Sequence, residues 1–360
     1  MSYPPISETA LNTIIKANAY EPYYSFKSSL DLYDIHQFTN GHPFSTYDEL
    51  RENSPIYFQN PPEWDVEPGA WMLTSYKDIM EVSSNPTIFS SQAATGNLIT
   101  LGDPETRHPK LWQTSIDHML NLDGSFHLDL RREHMPFFKP GYVDDLHKKV
   151  EIKVESLLDA IAKAGKSNLV KDISQQIPIF TLSEVLGIPE EDRHKLATWM
   201  EFLELAQYFA AENMKQTQGK AEEMEVDTSM IELFENMIGE MFEYGKHILQ
   251  EKRLNPKNDL LSAIANAELD GAKLSQEYLD GSWLLIIFAG NDTTRNSISG
   301  AIKLLTEFPE QKKKLLNNFD LLPNFAQETI RMISPVIHMR RTTTCETTLG
   351  NQKLGKGEKV

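Results

Sequence analysis

One cysteine in 360 residues, Cys345, leaves no partner for an intramolecular disulfide and gives no sign of an oxidising compartment. The start, Met1-Ser2-Tyr3-Pro4-Pro5, lacks the basic-then-apolar order of a signal peptide. The densest apolar run, Trp283 to Gly290, is far too short to span a bilayer. Positive charge is also in short supply. A formal net charge of −17 argues against a nucleic-acid partner, because phosphate backbones demand a basic face. No internal repeat or low-complexity tract stands out. These absences lead to the expectation of a cytoplasmic protein with no membrane span, and 40% hydrophobic residues suffice for a large core.

What is present reads mainly as helix. A short helix over Thr46 to Asn53 precedes a strand at Pro55–Phe58 and a second at Ala70–Thr74, joined across a Pro/Gly-rich turn. Ser75 and Asp78 look like a capping start for a helix ending near Ser84, before Asn85-Pro86. Further helices are expected over Ser125–Phe137, Tyr142–Ala164, Ile173–Leu186, Pro189–Ala211, Thr228–Lys252 and Asp259–Ala265. The longest should run from Ser275 to Glu307, with Ser275 as N-cap and Leu274 and Leu279 as a hydrophobic staple. Pro309–Asn317 and Leu322–Ile333 follow, then Thr-rich segments read as short strands. Met214 to Thr228 is polar and weakly patterned, a connection between helices. The fold class is mainly α with small β-sheets (α+β). A single domain is expected over 1–360, with a β-rich part at 1–85, a helical part at 86–335 and a second β region opening at 336–360.

Three groups of residues carry chemistry. Ala289-Gly290-Asn291-Asp292-Thr293-Thr294 puts an acid beside a hydroxyl after a glycine, in the most apolar helix. Gly inside a helix costs about 1 kcal/mol relative to Ala, and a carboxylate in apolar surroundings costs more unless paired. A site that lays a flat ligand in the notch at Gly290 and relays protons through Asp292 and Thr293 would account for both. Taken alone, the six residues suit equally a tolerated glycine beside a surface Asp-Thr pair. Glu328 and Arg331 stand at i,i+3, which by itself describes a common surface ion pair. His127 and Arg131 share a helix face and suit a carboxylate-bearing ligand, although a solvated polar face reads the same way. Cys345 has no neighbour that would lower its pKa, and His134, Glu133 and His338 lack metal-ligand spacing.

In this order, the groups resemble the cytochrome P-450 family of haem-thiolate monooxygenases, in its soluble bacterial class. The similarity covers nearly the whole chain. It implies haem b (iron protoporphyrin IX), with His127 and Arg131 on one propionate and Arg341, after Ser334-Pro335-Val336, on the other. Ala289, Gly290, Asp292 and Thr293 match the oxygen-activating helix motif, with Asp292 and Thr293 as the catalytic pair. Glu328 and Arg331 match the structural Glu-x-x-Arg. Leu285, Phe288 and Val336 would line the pocket for a hydrophobic small molecule, a sterol, terpenoid or branched lipid, oxidised with O2. Electrons would come from a ferredoxin and an NAD(P)H-dependent ferredoxin reductase. Methionines at 200, 214, 224, 230, 237 and 241 suit a pliable entrance or plain core filling. One departure stands out: the Phe-x-x-Gly-x-x-x-Cys-x-Gly loop that supplies the iron thiolate is not in this sequence. The expectation is a C-terminal truncation before that loop, so that the polypeptide as written would be inactive, with the axial cysteine beyond Val360. The alternative is a haem-free binding or scaffold protein of the same fold.

Overall fold

The computed structural model describes Leu32 and residues 35–38, 41–59, 69–92, 114, 118–203, 228–269 and 271–360. Helix α1 (Phe44–Asn53) leads into strands β1 (Ile56–Gln59) and β2 (Ala70–Leu73), an antiparallel pair in which Ile56 faces Leu73 and Gln59 faces Ala70. Helix α2 (Tyr76–Ser84) begins where the capping pattern puts it, with Ser75 Oγ accepting from Asp78 N at 3.2 Å. Strand β3 (Phe89–Ser90) follows.

The helical body comprises α3 (Gly124–His134), α4 (Pro140–Ala164), α5 (Gln176–Leu186), α6 (residues 193–203), α7 (Thr228–Leu254) and α8 (Leu260–Asn266). After a small hairpin of β4 (Glu268–Leu269) and β5 (Ala272–Lys273) come α9 (Gln276–Glu307), α10 (Pro309–Asn317) and α11 (Leu322–Ile333). Strands β6 (Thr342–Thr343), β7 (Thr347–Leu349) and β8 (Gln352–Leu354) close the described chain.

Several expected boundaries move, each for a local reason. The helix expected from Ile173 is preceded by a π-turn over Val170–Ser174, and α5 proper starts at Gln176. Pro178 has no N–H to give Ser174 O, so an α ladder cannot run through this stretch. The helix expected to reach Phe137 ends at His134 and passes into a 3₁₀ turn, Met135–Phe138, which contains Pro136. α4 starts two residues early because Pro140 sits well in a first helical turn. The helix expected from Pro189 opens as a 3₁₀ turn, Glu190–Asp192, and beyond residue 203 it lies outside the described residues, as does most of 214–228. The β4–β5 hairpin was not expected. Its signal was in the sequence, an Asp270-Gly271 pair, and Gly271 adopts φ +76° there.

The long helix α9 is the axis of the body. Ser275 caps it, accepting from Tyr278 N at 3.2 Å, and the staple residues Leu274 and Leu279 are both buried. Tyr278 to Trp283 is buried, in the helix that packs against α5 and α7. Beyond Ile287 only Asn291 and Gly300 are buried, so the second half of α9 opens along one side. α11 packs on that half.

The β segments from the two ends of the chain meet. Lys359 bridges to Ala70 and to Thr342, while Arg341 and Val360 exchange backbone hydrogen bonds at 2.7 and 2.9 Å. β6 pairs in turn with β3, Ser90 opposite Thr342. A second core lies behind these strands, built on Phe58, Trp71, Phe89, Leu349, Leu354 and Val360. Trp71 Nε1 donates to Glu358 Oε2 at 2.6 Å inside it. Among the described residues, no helix is long and apolar enough to cross a membrane.

His134, at the end of α3, is held neutral by burial, which lowers its pKa from 6.5 to about 4. Below pH 6.5 the unfolded chain therefore binds a proton that the folded chain refuses. Stability should fall as pH drops from 6.5 towards about 4, and His134→Gln should flatten that fall. Urea unfolding of both proteins across this range checks it; parallel pH profiles would refute the assignment.

Candidate active site

Leu285, Ala289 and Thr293 follow one another at i, i+4 and i+8 on α9 and so share a face. Ala289 is exposed, while Leu285 and Thr293 are part-buried. Thr293 Oγ1 donates to Ala289 O at 3.1 Å, which holds the hydroxyl along this face. The result is an open strip of small and aliphatic side chains with one hydroxyl, just beyond the buried Tyr278–Trp283 stretch of the helix. Phe288 packs partly against the main core beside the strip. Val336 is exposed on the segment leaving α11.

Gly290 does not provide the expected notch. A Cβ built on it would lie 2.9 Å from Leu182 Cδ1 and 3.2 Å from Leu182 Cδ2, so α5 fills that space. The glycine serves close helix packing, and the room for a flat ligand lies one residue earlier, over Ala289. Gly290→Ala should therefore cost about 0–2 kcal/mol, the overpacking against Leu182 set against a gain of about 1 kcal/mol in helix propensity. Leu182→Ala should itself cost about 2 kcal/mol or more, and the double variant should lose less than the sum of the two single losses, since the two changes share one contact. A double-mutant cycle by urea unfolding measures the coupling, and strictly additive losses would refute it.

Asp292 is likewise not the isolated apolar carboxylate that the sequence suggested. Its side chain is 38% exposed, and its Oδ1 accepts from Arg295 Nη2 at 2.5 Å and Asn296 Nδ2 at 3.2 Å. The i,i+3 spacing to Arg295 was legible and was missed. The fully buried polar group here is Asn291, 1% exposed, whose amide has no hydrogen-bond partner among the described residues.

The start of α3 and the strand after Arg341 are linked through β3. Ser90, paired with Thr342 in β6, donates its hydroxyl to Asp123 Oδ2 at 2.6 Å, and Ser91 N donates to the same carboxylate at 3.0 Å. Asp123 precedes α3, so the turn carrying His127 is tied to the strand that follows Arg341. Burial lowers the Arg341 pKa, and the nearby Asp123 charge raises it. Arg341 Nη1 donates to Arg340 O at 2.9 Å. His127 Nδ1 donates to Met119 O at 3.1 Å, since a carbonyl can only accept, leaving Nε2 to face a ligand. Arg131, one turn on, is exposed and has no acidic partner among the described residues. Asp123 and its serine contacts are the part of this cluster that sequence reasoning did not find.

Glu328 and Arg331 form the expected fork on α11, Nε to Oε2 at 2.7 Å and Nη2 to Oε1 at 2.6 Å, with both side chains exposed. The hydrogen bonds from Arg331 hold the Glu328 carboxyl below its ordinary range and raise the guanidinium. Ser334 then turns the chain with a left-handed φ of 39°, its hydroxyl donating to Arg331 O at 2.9 Å. Cys345 is exposed after β6, and among the described residues no group of three or more His, Cys, Asp and Glu could hold a metal ion.

Among the described residues Arg131 and Arg341 have no acidic ion-pair partner and His127 Nε2 has no hydrogen bond, a donor set that suits the paired carboxylates of a porphyrin, and Ala289 on α9 is exposed. The donor set thus fits haem on the propionate side. Helical body and end-to-end β segments define the class as a mainly α fold with small β-sheets. The family profile described as Cytochrome P450 matches residues 87–360, and the chain belongs to that family. Haem b is the family's cofactor and monooxygenation its reaction.

Among curated relatives, the linalool 8-monooxygenase of Pseudomonas putida is 29% identical over 331 residues, covering 92% of this chain and 77% of the relative. The methyl-branched lipid omega-hydroxylase of Mycobacterium tuberculosis is 28% identical over 345 residues, covering 92% of this chain and 73% of the relative. Among solved structures, a Mycobacterium marinum cytochrome P450 in complex with pseudoionone superposes with a TM-score of 0.78 at 29% identity, over 95% of this chain and 79% of that one.

Proposed function

We propose that this cytochrome P450 hydroxylates an apolar small molecule of the terpenoid, sterol or branched-lipid kind. The observation that carries the reading is the Leu285–Ala289–Thr293 strip, where the long helix α9 leaves the core. Relatives named for linalool, for methyl-branched lipids and for a pseudoionone complex support the substrate class. Bound haem would supply the oxygen binding and C–H oxidation that side chains cannot perform.

The chain's own residues would do the rest. Arg131 and Arg341 would grip the two propionates, with His127 adding a donor from Nε2 when protonated. Ala289, for want of a larger side chain, leaves the haem face clear. Thr293 would hold a water by its hydroxyl, and Asp292 would pass protons to that water from solvent through Oδ2, being part-exposed while Arg295 and Asn296 hold Oδ1. Leu285, Phe288 and Val336 would exclude water around the substrate. Glu328 and Arg331 keep a structural role at the end of α11. Electrons would come from a ferredoxin served by an NAD(P)H-dependent reductase, in the cytoplasm, and the chain would act as one domain.

The test is spectroscopic. Protein expressed from its natural gene should, when reduced under carbon monoxide, show the red-shifted Soret band of a thiolate haem. Linalool or pseudoionone should perturb the ferric Soret band. Folded protein that takes up no haem would sink the reading and favour a haem-free scaffold.

A further inference from the structure

Three large rings meet where α9 crosses α7 and α6, away from the Ala289 strip. Trp283 and Trp199 are 1% and 2% exposed, with ring centroids 6.3 Å apart. Tyr244 lies 5.3 Å from Trp199 and 5.9 Å from Trp283. Gly245 makes room for this contact, since a Cβ there would meet Trp283 Cδ1 at 2.4 Å. As packing, the cluster needs nothing more. Its polar ends are what a plain core would not require.

Trp283 Nε1 donates to Met241 O at 2.9 Å. A carbonyl is no base, so an oxidised Trp283 keeps its proton and its charge. Tyr244 differs. Its hydroxyl donates to Asp192 Oδ2 at 2.9 Å, a carboxylate that also takes Lys195 Nζ at 2.8 Å near the surface. Lys195 Nζ stands 4.9 Å from the centroid of the Tyr244 ring, which disfavours a charged radical there. Loss of an electron from Tyr244 must therefore accompany loss of its proton. Burial raises the Tyr244 pKa and the Lys195 hydrogen bond lowers that of Asp192, so donor and acceptor start in the right protonation states.

We infer that Trp283, Trp199 and Tyr244 form a relay that carries a one-electron oxidising equivalent from beside α9 to the surface, with Asp192 as its proton acceptor. In the terminal step one electron passes from Tyr244 to an oxidised indole, and the Tyr244 hydroxyl proton passes to Asp192 Oδ2. The products are a neutral indole, a neutral tyrosyl radical and a protonated Asp192. A soluble one-electron reductant such as ascorbate then returns the electron, and the proton goes back. The relay would drain oxidising equivalents that find no substrate; that source, though not the relay, rests on the haem reading above.

Laser photoionisation of tryptophan in the folded protein, with no haem needed, tests the relay itself. Tryptophyl absorption should decay as tyrosyl absorption rises. Tyr244→Phe should abolish that rise, Asp192→Asn should slow it, and Tyr76→Phe, at an exposed tyrosine, should leave it unchanged. An unaltered rise in Tyr244→Phe, or an unaltered rate in Asp192→Asn, would overturn the relay. Haem-loaded protein treated with a peracid should show a tyrosyl electron-spin signal that Tyr244→Phe loses. If photoionisation gives the rise but the loaded protein gives no such signal, the relay stands and its draining role is overturned.

Discussion

Lys252→Met should destabilise the fold by about 3–5 kcal/mol, the cost of leaving one charge of a buried pair alone. Lys252 and Asp259 have side-chain exposures of 3% and 6%. The Lys252 ammonium, on α7, donates both to the Asp259 carboxylate and to Gly187 O, the latter at 3.0 Å. Asp259 also caps α8, its Oδ1 accepting from Ser262 N at 2.8 Å. One ion pair thus pins the end of α5, the last turns of α7 and the start of α8. Against a total stability of about 5–15 kcal/mol, the loss should be plain in the urea midpoint. Lys252→Met with Asp259→Leu should recover much of it, less about 1 kcal/mol for the lost cap, because both charges then leave the core. A single variant as stable as the parent would show that water reaches the pair. The exposed Glu328–Arg331 fork has no such leverage, since solvent screens it.

Thr293→Ala should have the largest effect on chemistry and almost none on folding. Its hydroxyl bonds back to Ala289 O within the same helix, so removal opens no cavity in the core and should change stability by no more than about 0.5 kcal/mol. Product formation should fall on the order of 10²-fold, the scale of a lost proton-transfer group, while NAD(P)H consumption continues. Thr293→Ser, which keeps the hydroxyl, should restore much of the coupling. The measurement is product formed per NAD(P)H consumed with reconstituted electron donors. Equal ratios in Thr293→Ala and the parent would remove Thr293 from the proton path.

Much of the architecture was readable because its causes are local. The Ser75, Asp259 and Ser275 starts follow from side chains that satisfy backbone N–H groups one turn away. The boundary errors at Pro136, Pro140 and Pro178 were also local, and proline chemistry in the sequence accounts for them. The Asp270-Gly271 hairpin was overlooked, though its turn signal was there.

The site divided differently. The order of the residue groups 127–131, 289–294, 328–331 and 341 was enough for the resemblance to the family, which rests on matching its motifs and not on helical period. That Leu182 fills the space over Gly290 and that Asp123 ties the His127 turn to β3 depended on packing, whereas the Arg295–Asp292 pair was legible at i,i+3 and was overlooked. Helical period says which residues share a face of α9. Only the neighbouring helices decide which face is closed by a leucine and which stays open for a ligand, because burial belongs to pairs of elements and not to either one alone.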